Sequence, residues 1–352
     1  MKAMTTRFGA MALVLCAAVS TAPDIALADE AAASGADATA AERAHKASRA
    51  LLTAIVRAGN RLVAVGSRGH ILTSDDGATW TQAEVPVNVL LTAVSFADAR
   101  NGWAVGHDAT VLHTQDGGTS WQLQNFQPGE NALLDVLIVD AQRGLAVGAY
   151  GLMLQTVDGG ASWTRAEGGL VEEGLHFNAL TRLNDGSLFL VGEQGMMARS
   201  TDDGASWQRL QSPYESSLFA VASKGDKGAV VGGLRGNAFQ TADVAGGAWA
   251  RIDNDSVQSI FGISALPDDS FAFAGLNGTL QVLGADGRLQ QLELDRAAAG
   301  VESVPPQGPP FVAVRSESRD IEVGAFSKAL PWQQGLLTVG DTGARFWKRP
   351  AH

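Results

Sequence analysis

Apolar and polar positions along most of this chain alternate in short runs, such as Leu91-Thr-Ala-Val-Ser-Phe96 and Phe219-Ala-Val-Ala222. Runs of about five residues, bounded by Gly, Asp and Ser clusters, predict short β-strands. The runs recur on a fixed beat. Thr73-Ser-Asp75-Asp-Gly77-Ala-Thr79-Trp80 is matched at 114–121, 156–163 and 200–207, and with one extra residue at 241–249. The tryptophans that close these units, Trp80, Trp121, Trp163, Trp207 and Trp249, stand 41, 42, 44 and 42 residues apart. A second landmark keeps the same interval: Val65-Gly66, Val105-Gly106, Val147-Gly148, Val191-Gly192, Val231-Gly232, Ala274-Gly275 and Val339-Gly340. All but one are followed within three or four residues by another Gly, and Ala109 takes that place in the second copy. Short strands at this period describe four-stranded antiparallel blades, and seven copies predict an all-β, seven-bladed propeller over residues 50–349.

Each unit has a physical logic. The carboxylates of Asp75, Asp116, Asp158 and Asp202 are placed to accept backbone N–H groups across a tight hairpin. The tryptophan after each box, Trp80, Trp121, Trp163 or Trp207, offers roughly 200 Å² of apolar surface to wedge against a neighbouring sheet. Both sets read as structural. The other landmark, Val-Gly-x-x-Gly, reverses the chain at the opposite end of the blade. The residues between its glycines change from copy to copy while the frame repeats, which is how a rigid ring presents a specific surface. Arg68, His107, Asp108, Tyr150, Glu193, Gln194, Arg235, Asn277 and Asp341 are therefore the candidate partner-binding residues.

Composition narrows the function. With 37 acidic against 26 basic residues the net charge is −11, and no basic run exists to track a phosphate backbone, so nucleic acid is not an expected partner. One cysteine, Cys16, excludes a disulfide framework and a multi-thiolate metal site. The six histidines lack the paired spacing of a metal centre, and neither metal nor cofactor is expected. Lys2 and Arg7, an apolar run over 8–19 and Ala26-Leu27-Ala28 form a secretory signal peptide, cleaved after Ala28. The mature chain is thus expected to be secreted or periplasmic, and monomeric. Residues 29–49 form an alanine-rich linker or short helix. The last Val-Gly interval is 65 residues, and its excess includes a proline-rich insertion near 295–310. Residues 311–330 offer two candidate inner strands for the last blade, and its fourth strand is expected from residues before 50.

The Ser/Thr-x-Asp-x-Gly-x-Ser/Thr-Trp unit resembles the Asp-box, or bacterial neuraminidase repeat, of sialidases and related propellers. Followed after Val-Gly-x-x-Gly, as here, it is similar to the narrower photosystem II stability/assembly-factor family, over roughly residues 50–349. That resemblance implies an exported, non-enzymatic ring that assembles a membrane complex by gripping a protein client. Sialidase chemistry needs an Arg-Ile-Pro motif near the first blade and a Tyr–Glu pair. Here Arg251-Ile252 is followed by Asp253, and Tyr150 and Tyr214 have no evident glutamate partner. Alternatives are a glycan-binding or glycoside-hydrolase propeller, with Asp108 and Glu193 as its acids, and an accessory of an envelope transport system.

Overall fold

A computed structural model describes residues 38–292 and 324–348. The expected signal peptide, the start of the linker and the proline-rich insertion lie outside the described residues. Seven antiparallel sheets follow one another: blade 1 (52–82), blade 2 (91–125), blade 3 (133–165), blade 4 (177–209), blade 5 (218–252), blade 6 (260–291) and blade 7 (326–348). Within each, strands pair in chain order from the inner strand outward. Blades 1 to 6 have four strands, whereas blade 7 has three among the described residues. The protein is a seven-bladed β-propeller.

Burial explains the pattern read from sequence. Second strands such as Gly144–Gly148 and Leu188–Gly192 are buried at every residue, because both faces of each sheet pack on neighbouring blades. Seven apolar clusters result, one per interface between consecutive blades. Val63 and Val65 of blade 1 pack with Leu112 and Trp121 of blade 2. Leu52 and Ile55 of blade 1 pack with Trp332 and Leu337 of blade 7, which closes the ring. The box tryptophans face the preceding blade, Trp163 in the cluster of blades 2 and 3 and Trp207 in that of blades 3 and 4.

The expected closing strand is not found within residues 38–50, and the rest of the segment before 50 lies outside the described residues. No strand from residues 38–50 pairs with Arg345–Lys348, the outer strand of blade 7. Instead Ala47–Arg49 forms a 3-10 turn, and the Ser48 carbonyl accepts the Ala344 N–H at 3.0 Å. The reason lies in the repeat. A Cβ on Gly69 would meet the Val87 carbonyl oxygen at 2.0 Å, and one on Gly195 the Tyr214 oxygen at 2.1 Å. These carbonyls belong to the connectors between consecutive blades, and Ser48 stands in the same place against Gly343, at 2.0 Å. The segment before blade 1 is therefore the missing seventh connector rather than a strand. Upstream it lies along blade 1: the Ala41 N–H donates to the Val85 carbonyl, and Gln82 exchanges hydrogen bonds with Ala44 and Glu42. Phe326–Trp332 is the inner strand of blade 7, and the other candidate, within 311–323, falls outside the described residues.

The Asp-box hairpins lie at the ring end opposite the Val-Gly turns. Asp158 Oδ1 accepts the Ser162 N–H at 3.0 Å and its Oδ2 the Ser162 hydroxyl at 2.6 Å. Asp116 and Asp202 are held in the same way by Ser120 and Ser206. Blade 1 departs from the sequence alignment. There Asp76, not Asp75, accepts the N–H groups of Ala78 and Thr79, while exposed Asp75 pairs with Arg61 at 3.1 Å. The blade 1 loop is one residue shorter, so Ser74 and Asp76 occupy the places of Thr114 and Asp116.

Candidate docking face

Every Val-Gly turn brings two backbones into contact. A Cβ on Gly66 would stand 2.1 Å from the Leu51 carbonyl oxygen, and one on Gly148 2.1 Å from that of Ala132. Only glycine permits this approach. In blade 5 the position falls to Gly233, one residue later than the sequence pattern suggests. The chain then passes through one left-handed residue before the second glycine. That residue is Arg68 (φ 56°), Tyr150 (52°), Gln194 (51°), Arg235 (56°) or Asn277 (52°), and in blade 2 Asp108 (55°) followed by Ala109 (48°). A non-glycine residue in this region costs about 1–2 kcal/mol. The side chains of Arg68, Tyr150, Gln194, Arg235 and Asn277 are all exposed.

All nine candidates lie on this end, but in two groups. Asp108 Oδ1 accepts the Gly129 N–H at 2.9 Å and Asp341 Oδ2 the Ala325 N–H at 3.0 Å, so both carboxylates fasten local backbone. Asn277 donates to Gln258 Oε1 at 2.8 Å. His107 is exposed, and its carbonyl accepts the Thr110 hydroxyl. Arg235 holds its turn through its N–H, donated to Ser259 Oγ at 3.2 Å. Asp108 and Glu193 stand on blades 2 and 4, and no hydrogen bond joins them to one another or to a shared group among the described residues.

Tyr150 and Glu193 meet through a residue that sequence reasoning left out. His176, at the start of blade 4, accepts the Tyr150 N–H at Nδ1 (3.0 Å), with the two rings edge to face at 4.5 Å. Glu193 Oε2 accepts the His176 backbone N–H at 3.2 Å and lies 3.7 Å from Nε2. Since Nδ1 accepts, a neutral His176 carries its proton on Nε2, toward Glu193. The available signal was positional: the residue preceding each inner strand meets the glycine turn of the same blade. Beside Arg68, burial and then the Arg68 charge hold the His70 imidazole below its ordinary range, and its Nδ1 is buried without a hydrogen-bond partner among the described residues.

This end also gathers exposed apolar side chains. Of six large hydrophobic residues exposed among the described residues, Leu51, Tyr150, Val257 and Phe261 belong to it; Val257 is 76% and Tyr150 63% exposed. Between them opens the central channel, a cavity of about 430 Å³ lined by the seven inner strands. A β-bulge at the second residue of each inner strand marks its mouth, as at Thr53, Thr92 and Asn178. One residue further in, five blades contribute Ala or Gly, and blades 3 and 7 contribute Asp135 and Lys328. Burial pushes the Asp135 carboxyl up, against the opposing pull of the Lys328 charge and of the Leu180 and Val136 N–H groups.

A family model described as Photosynthesis system II assembly factor YCF48 matches residues 72–131 and 125–272. The chloroplastic Photosystem II stability/assembly factor HCF136 of Cyanidioschyzon merolae is 33% identical over 88 residues, 24% of this chain and 19% of that protein. The Photosystem II assembly protein Ycf48 of a Synechococcus strain is 43% identical over 47 residues, 13% of this chain and 14% of that one. The chain thus spans less than a fifth of the length of these curated relatives. A solved structure of YCF48 bound to D1 peptide superposes with a TM-score of 0.64 at 17% identity, covering 86% of this chain and 95% of that one. Streptogramin B lyase reaches 0.67 at 8% identity, covering 85% and 93%. Likeness at these identities is one of fold, shared by binding proteins and an enzyme alike.

Proposed function

We propose that this chain, which belongs to the Photosynthesis system II assembly factor YCF48 family, is an exported, non-enzymatic scaffold that grips a protein client of a membrane complex on its glycine-turn face. The observation that carries the reading is the ring of left-handed turns. Five blades keep a long or polar side chain, of four kinds over the five positions, at a backbone conformation that glycine would adopt without strain. Natural surfaces retain such residues where the side chain has a use. Arg and Tyr, found at three of the five, are the types that dominate protein–protein hot spots. The exposed Val257, Phe261 and Leu51 supply the apolar component on the same end. A solved relative carrying D1 peptide supports a peptide-like client. Export rests on the amino-terminal pattern, and N-terminal sequencing of the mature protein is expected to begin at Asp29.

Site-specific photo-crosslinking in intact cells tests the reading. A photoreactive residue at position 150 or 235 is expected to trap a subunit of a membrane complex. The same group at Val157, an exposed apolar residue of an Asp-box hairpin on the opposite end, is expected to trap none. Equal yields from both ends, or none from positions 150 and 235, would remove the assignment of the face.

A further inference from the structure

The channel mouth differs around its circumference in a way that ring construction does not require. At the bulge position, Thr53 and Thr92 donate their hydroxyls to the Leu91 and Leu133 carbonyls of the next blade, each at 2.7 Å. Asn178 does the same to Leu218 at 2.8 Å. The position therefore has a structural use, stitching one blade to the next. Phe219 and Phe261 hold the same position in blades 5 and 6 and cannot make that bond. Their rings instead meet at 5.5 Å, and Phe261 is 38% exposed. Blade 7 follows on the same arc and contributes Lys328 to the cavity.

Lys328 and Asp135 are the two charged residues among those lining the channel, and they are not equivalent. Asp135 is occupied: its two oxygens accept the Val136 and Leu180 N–H groups, both at 2.9 Å. No acidic group lies within 4.0 Å of Lys328 among the described residues, and no hydrogen bond holds its ammonium there. An ammonium without a short ion pair, its charge acting on the buried Asp135 carboxyl, lines with two aromatic rings a cavity of about 430 Å³, the volume of a small-molecule site. Its charge sets the ligand class. One ammonium is a point charge, matched by a ligand carrying a single negative charge.

We propose that the channel mouth bounded by Phe219, Phe261 and Lys328 is a binding site for a small monocarboxylate with an aromatic or branched apolar body. The carboxylate pairs with the Lys328 ammonium, and the apolar body covers the two rings. This site borders the client face and shares Phe261 with it, but its charge lies on the channel lining and its ligand is a free small acid.

Calorimetric titration of the full chain with 3-phenylpropionate, 3-phenylpropanol and acetate is the test. Saturable binding is expected for 3-phenylpropionate, at least about tenfold tighter than for the alcohol, which lacks the charge, and for acetate, which lacks the ring. Lys328→Met is expected to abolish that preference while the chain still melts cooperatively, and Phe261→Ala to weaken both ring-bearing ligands. Lys328→Gln provides the same comparison should the methionine variant not fold. Absence of saturable binding at millimolar 3-phenylpropionate, equal affinity for acid and alcohol, or binding that survives loss of the ammonium would each overturn the proposal.

Discussion

At the scale of single residues, the box carboxylates and the turn residues make opposite demands on the chain. Hydrogen bonds, from the Ser162 hydroxyl above all, hold the Asp158 carboxyl down to about 2. The Ser206 hydroxyl does so for Asp202 and the Thr79 N–H for Asp76, each also to about 2. Since an unfolded aspartate titrates near 3.9, the unfolded chain takes up protons first as pH falls. The contribution of these groups is whole above pH ~5 and is lost as pH drops toward 2. Melting temperature is expected to hold to about pH 5 and then fall. In Asp158→Asn it is expected to start lower at neutral pH and to fall less steeply in acid. Calorimetric scans across that range decide it, and an identical slope in both proteins would be inconsistent with the box carrying the acid sensitivity. Sequence alignment placed the blade 1 carboxylate at Asp75, because a one-residue-shorter loop hides the register that the Asp76 hydrogen bonds define. Asp76→Ala is accordingly expected to lower the melting temperature more than Asp75→Ala. The left-handed residues behave in the reverse sense. Gln194→Gly relieves a strained φ of 51° while freeing the unfolded chain, two effects of about 1 kcal/mol that oppose one another. Stability is expected to stay level while client crosslinking at this blade falls; a marked destabilisation would show that the side chain supports the fold instead.

At the scale of elements, the fold was legible where a residue type is forced and hidden where geometry chooses. The paired glycines could be read because a Cβ at Gly66 or Gly148 would strike a carbonyl oxygen. Blades 6 and 7 lack the box, yet their Ala274-Gly275 and Val339-Gly340 pairs still mark them, since the close approach is needed in every blade. Lys328 and the inner-strand bulges could not be read, because an extra residue in a strand shifts the alternation by one without any characteristic residue type. The box tryptophans were legible, and the structure gives them a direction, each toward the preceding blade. Trp121 is 5% exposed among Val63, Val65 and Leu112. Trp121→Ala is expected to destabilise by roughly 3–5 kcal/mol, measured as a lower urea midpoint with unchanged slope. A loss below about 1 kcal/mol would mean that the wedge is dispensable and that strand packing alone holds blades 1 and 2 together.

At the scale of the whole molecule, the ring must join blade 7 to blade 1 without a covalent connector, and this interface is where the design is most exposed. Elsewhere a chain segment crosses between blades and lays a carbonyl against the second glycine of the preceding turn. Between blades 7 and 1 that carbonyl is supplied by Ser48, on the segment that precedes blade 1. Trp332 adds the other half of the seam, its ring nitrogen donating to the Asp76 carbonyl at 3.2 Å. Fastening by packing and a borrowed connector, rather than by an exchanged strand, makes the amino-terminal segment part of the fold. A chain beginning at Leu51 loses the Ala41–Val85 and Ser48–Ala344 bonds, the Gln82 exchange and the buried Ala47. At about 1 kcal/mol for each hydrogen bond, the loss is on the order of 3–4 kcal/mol. It should appear as a lower melting temperature, and as faster amide exchange confined at first to the inner strands Leu52–Ala58 and Phe326–Trp332. A chain beginning at Ala38 keeps every one of these contacts and is expected to melt with the full-length protein. Should the Leu51 chain also retain full stability, or exchange faster uniformly around the ring, the amino-terminal segment would have no part in closure and the packing of Trp332, Leu52 and Leu337 would have to close the ring alone.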